Sequence, residues 1–142
     1  MTSDQRFGAF KVMSFDVVGT LIDFEGGMLT YLRKSGAAPS DVSDDTILDA
    51  YRASRSAEKV LRYPDDLERA YFDLVHDARL KDDAKLARGF RDSAEFWPAF
   101  PDSVEALKRL SQKYRLVAMY PTYEDYQKRT TRDIPVVIAT PA

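Results

Sequence analysis

Residues 10–18 read FKVMSFDVV, and Gly19 and Thr20 close the run. Only Lys11, Ser14 and Asp16 interrupt its apolar character, which predicts a strand of a parallel sheet covered on both faces. The constraint lies in where the run stops. In an open parallel sheet the reactive groups sit beyond the carboxyl ends of the strands, where loops gather and helix N-termini aim free N–H groups. Asp16 falls at that end, Gly19 allows a tight turn, and Thr20 brings a hydroxyl and a backbone N–H to orient a carboxylate or an anionic substrate. An aspartate held in this way can act as a nucleophile and form an ester that water later cleaves. Taken as residues alone, the same letters also describe a turn after a strand with an incidental acid.

The chain beyond this point reads as helices. EGGMLTYLRKSG, residues 25–36, has apolar Met28, Leu29, Tyr31 and Leu32 close to helical spacing and Gly36 as a C-terminal stop. After the polar linker APSDVSDD, three charged, alanine-rich segments at 44–62, 65–80 and 82–93 are expected to be helical. In the second, Leu67, Tyr71, Leu74, Val75 and Ala78 share a face, and Asp65 and Asp66 after Pro64 suit a helix N-terminus. A further helix is expected after Pro101, with Asp102 and Glu105 as a D-x-x-E capping signal and Val104, Leu107 and Leu110 as its stripe. RLVAM at 115–119 and IPVVIA at 134–139 read as short buried strands. This order is that of an α/β fold with a helical insertion after the first strand.

Composition narrows the chemistry. A 142-residue chain with 44% hydrophobic residues is expected to form a globular core. Its 21 basic and 23 acidic residues give no electrostatic reason to expect a nucleic-acid or anionic membrane partner. Without cysteine, and with His76 as the single histidine, any metal would have to be held by carboxylates. No stretch reaches the roughly eighteen apolar residues of a membrane span, and MTSDQRFGAF lacks the marks of a signal peptide, so a cytoplasmic location is expected.

FDVVGTLIDFE resembles the first motif of the haloacid dehalogenase superfamily, D-x-x-G-T-[LI]-x-[DE], and the similarity continues through WPAFPDSVEALKRLSQKYRLVAM, so that it spans residues 10–119. The resemblance implies a truncated Rossmann-like parallel sheet built from residues 1–24 and 94–142, with residues 25–93 as a helical cap inserted after the first strand. It makes Asp16 the nucleophile and Gly19 and Thr20 the turn that positions it, with Val17 and Val18 beside the substrate. Phosphatases of the superfamily place a second aspartate two residues after the first. Here that position is Val18, which cannot transfer a proton. The two-haloacid dehalogenase branch is therefore favoured, with a small carboxylic acid as substrate, no cofactor, magnesium not favoured, and a homodimer allowed for. In that branch an arginine early in the cap meets the substrate carboxylate or the leaving halide. Arg52 and Arg55 are the candidates, each also readable as a charge on a solvated helix face. Asp23 and Glu25 as a metal pair are the less favoured reading of those acids. His76 reads as a surface or half-buried side chain and Trp97 as a core or interdomain anchor.

The superfamily pattern breaks after LVAM. A Ser or Thr is due there, and the chain has Tyr120, Pro121 and Thr122; no third-motif lysine or fourth-motif cluster follows, Lys128 lacking the strand and helix context. YPTYEDYQKRTTRDIPVVIATPA, residues 120–142, instead resembles the closing segment of the deazaflavin-dependent nitroreductase family, a split β-barrel. By that resemblance Tyr120, Tyr123 and Tyr126 line a substrate pocket above the cofactor, and their spacing of three sets them along one helical side. The plainer reading is that they pack against the core. Three functions follow as expectations: an impaired aspartyl-ester hydrolase, a catalytically inactive fused or truncated domain with a folding or association role, and a deazaflavin-dependent nitroreductase fragment.

Overall fold

A computed structural model describes residues 10–55 and 64–118. Its elements are β1 (Val12–Phe15), α1 (Phe24–Lys34), α2 (Asp44–Ser54), α3 (Asp65–Asp77), α4 (Ala84–Ser93) with a 3-10 turn (Ala94–Phe96), α5 (Ser103–Ser111) and β2 (Arg115–Ala118). Contacts divide the chain into Phe24–Pro98 and a second unit whose described residues are 10–23 and 99–118. No helix among the described residues is long and apolar enough to cross a membrane.

In the second unit β1 and β2 pair in parallel, with Val12 opposite Arg115 and Phe15 opposite Ala118. The α/β class expected from the sequence is present as helices and a parallel pair. The doubly covered strand is not: Val12 is 53% exposed and Val117 41%, and no residue of β1 is fully buried. An apolar run records what a strand is suited to pack against; among the described residues, two short strands have too few neighbours to cover both faces. The third expected strand, residues 134–139, lies outside the described residues, as do the tail tyrosines.

The start of α5 also departs from expectation. Asp102 already has helical backbone angles, φ −93° and ψ −13°, and its side chain makes no capping bond. An N-cap acceptor works from an extended backbone, and winding begins too early here for Asp102 to serve. Ser103 is instead the buried residue of this turn, and its hydroxyl donates to the Leu21 carbonyl at 2.9 Å.

The helical unit follows its sequence more closely. Ser43 caps α2 by accepting from the Thr46 N–H at 3.2 Å, and Asp83 caps α4 by accepting from the N–H groups of Lys85 and Leu86. Gly36 ends α1 in the left-handed region, φ 68°, which lets the Ala38 N–H return to the Leu32 carbonyl. On α3 the stripe of Leu67, Ala70, Tyr71 and Leu74 is wholly buried, with Val75 at its half-buried edge. Helix α2 is assigned as far as Ser54, and residues 56–62 of the longer helix expected there lie outside the described residues.

Phe90 is the aromatic centre of this unit, with ring centroids 5.9 Å from Tyr31, 6.1 Å from Tyr71 and 6.3 Å from Trp97. A buried tyrosine needs a partner for its hydroxyl, and Tyr71 donates to the Lys81 carbonyl at 2.7 Å. Burial pushes its phenol up to about 12. Trp97, 7% exposed, donates from Nε1 to Ser93 Oγ at 3.2 Å and so anchors this unit's own core.

Candidate functional site

The loop after β1 is built from backbone hydrogen bonds. The Val17 carbonyl accepts from the N–H groups of Leu21 at 2.8 Å and Ile22 at 3.0 Å, while the Gly19 N–H returns to the Ile22 carbonyl at 2.9 Å. This reversal needs Gly19 at φ 89°, a conformation that a Cβ would strain. The turn brings Thr20 back over the strand end, where its hydroxyl donates to Asp16 Oδ2 at 3.1 Å. Asp16 and Thr20 are both exposed, Val17 is half-buried, and Val18 is 38% exposed with a bridge to Ile22. The carboxylate of Asp16 thus stays exposed while Thr20 holds its Oδ2. A carboxylate held so can accept a proton or attack an electrophilic carbon.

Sequence reasoning missed what steadies this loop. The Leu21 carbonyl accepts from both the Phe100 N–H, at 3.0 Å, and the Ser103 hydroxyl. A backbone acceptor leaves no mark in a sequence, and Ser103 beside Asp102 looks like an ordinary helix start.

In the helical unit the two candidate arginines have different settings. Arg52 donates to Glu25 Oε1 at 2.9 Å and Asp49 Oδ1 at 2.8 Å, all three side chains remaining largely in solvent. Those bonds, first Glu25 and then Asp49, raise the arginine's already high pKa. Arg55 forms an ion pair with Oδ2 of Asp66, without the directed geometry of a hydrogen bond. Asp66 is fully buried, and Arg69 Nε reaches its other oxygen at 3.1 Å. The expected pair of helix-start acids is thus divided: Asp65 stays exposed, and Asp66 turns inward to the arginines. Glu25 is engaged by Arg52, and among the described residues no three of His, Cys, Asp and Glu gather as metal ligands. His76, its side chain 93% exposed, pairs with its neighbour Asp77.

Comparison with known proteins points in two directions. The model of the F420H(2)-dependent quinone reductase family matches residues 98–141. That match includes the tail resembling deazaflavin enzymes and begins earlier than expected, taking in α5 and β2, which the sequence pattern assigned to the dehalogenase-like part. Among solved structures, one described as a crystal structure analysis of a dehalogenase is similar with a TM-score of 0.54 at 16% identity, over 78% of this chain and 50% of that one. At that identity the likeness is one of fold, and this chain spans half the length of that one. No curated protein matches.

Proposed function

We propose that the chain takes part in deazaflavin-linked reduction through its C-terminal segment, with a quinone as the acceptor class. The observation that carries this reading is the family match over residues 98–141, which contains Tyr120, Tyr123 and Tyr126. A reduced deazaflavin, when bound, supplies a hydride. In the described part of the segment α5 buries only Ser103, whose hydroxyl donates to the Leu21 carbonyl. The tyrosine hydroxyls are the groups expected to orient the acceptor. The test mixes purified chain with reduced F420 and a naphthoquinone and follows the return of oxidised-deazaflavin fluorescence. Reoxidation above the protein-free rate is expected, falling by about a hundredfold when the three tyrosines become phenylalanine. A rate equal to buffer alone would remove the reading.

The Thr20 to Asp16 bond supports a second reading, a dehalogenase-type hydrolase on a Rossmann-like sheet with Phe24–Pro98 as its cap. Asp16 Oδ1 attacks the halogen-bearing carbon of a two-haloacid, the halide leaves with the bonding pair, and water then hydrolyses the ester to restore the carboxylate. Val18 supplies no acid, and a halide leaves without one. Of the two candidate arginines, Arg52 is the more available to a carboxylate, because its exposed ion pairs exchange readily whereas Arg55 is tied to a buried charge. Chloride release from two-chloropropionate is the measurement, with Asp16→Asn expected to abolish it. Equal release by the wild type and the variant would take Asp16 out of the chemistry.

A further inference from the structure

Within the helical unit, a groove of about 490 Å³ runs between α1 and the segment after α4. Its volume falls in the range of small-molecule sites. One wall is a single face of α1, Gly27, Thr30, Tyr31 and Lys34, spaced as i, i+3, i+4 and i+7. The other is formed by Phe96, Trp97 and Pro98.

The polar ends of the aromatic walls are already hydrogen-bonded within the protein. Tyr31 donates its hydroxyl to the Leu86 carbonyl at 2.8 Å, and the Trp97 N–H is bonded to Ser93. The aromatic residues therefore offer mainly ring surface to the groove, beside the hydroxyls of Thr30, Ser35 and Ser93. Phe96 stands at its side 78% exposed, an aromatic face left in water where most are covered. Lys34 is the only ionic group lining the groove, and it has no ion-pair partner among the described residues. An apolar slot of this size beside one unpaired cation selects a flat apolar ligand bearing one negative charge.

We propose that this groove binds a small aromatic monocarboxylate, its ring between Tyr31 and Phe96 over Trp97 and its carboxylate against Lys34. The proposal rests on residues of Phe24–Pro98 alone and does not depend on either functional reading. Trp97 is the only tryptophan in the chain, so its fluorescence reports occupancy directly.

The experiment titrates the full chain with 2-naphthoate and, in parallel, with neutral 2-naphthamide. Saturable quenching of Trp97 by naphthoate is expected. Lys34→Gln should weaken naphthoate by about fourfold and leave the amide unchanged, since a rim ion pair contributes modestly. Phe96→Ala, at an exposed position that leaves folding intact, should weaken both ligands by about fivefold. Absence of saturation, or naphthoate binding that ignores both substitutions, would overturn the proposal.

Discussion

Replacing both Arg55 and Arg69 with alanine should destabilise the helical unit by about 3–5 kcal/mol, the range seen when a buried charge loses its partners. The reason is an asymmetry in burial. Asp66 is 0% exposed, whereas the Arg55 and Arg69 side chains keep 37% and 26% of their surface in solvent. Deprived of the carboxylate, the arginines can turn to water; deprived of the arginines, the carboxylate cannot. Arg69 adds a further link by donating to the Ser54 carbonyl at 3.2 Å, which joins α3 to the end of α2, and to Asp73 at 2.5 Å. Asp66→Asn should be milder, on the order of 1–2 kcal/mol, because the amide oxygen still accepts from Arg69. Adding Asp66→Asn to the double arginine variant should then recover stability, since it removes the charge that has no partner. Urea unfolding followed by circular dichroism reads all four proteins. Simple additivity, with the triple variant the least stable, would show that Asp66 does not depend on the arginines.

That network shows which parts of this chain were legible in advance. Helices with strong periodicity were: the face of Leu67, Tyr71 and Leu74 follows from spacing alone, and Gly36 and the segment boundaries near Asp44 and Ala84 follow from local preferences that the fold did not override. The aspartate loop was legible as well, because Gly19 and Thr20 act within a few residues of Asp16. Tertiary choices were not. Asp65 and Asp66 are adjacent identical letters at a helix start, yet one stays in water and the other is buried with two partly exposed arginines as partners. Asp102 and Glu105 have the spacing of a capping box, but the backbone winds at Asp102 and Ser103 does the anchoring through Leu21. The apolar density of residues 10–18 correctly marked a strand and overstated its cover, since burial depends on neighbours that the local sequence does not contain.

Gly27→Ala should lower stability by about 2–3 kcal/mol, as overpacking of a filled site does. Helix propensity alone points the other way, because alanine in a helix interior is favoured over glycine by about 1 kcal/mol. The opposing term is Trp97. A Cβ at position 27 would lie 2.4 Å from its Cγ and 2.5 Å from its Cδ1, distances that carbon atoms cannot share. The indole has little room to retreat, since it is 7% exposed, hydrogen-bonded to Ser93 and packed near the Phe90 ring. Gly89 meets the same constraint from the other side of this core, where a Cβ would lie 2.3 Å from the Tyr31 hydroxyl. Both glycines are therefore set by close approach of an aromatic side chain, with packing outweighing their helix propensity. The discriminating measurement is a double-mutant cycle with Trp97→Leu. In the leucine background the same Gly27→Ala change should be close to neutral or stabilising, because the smaller side chain frees the space and leaves propensity to act. If Gly27→Ala stabilises the protein with Trp97 in place, the indole does not lie against α1 and the groove that it floors has a different shape.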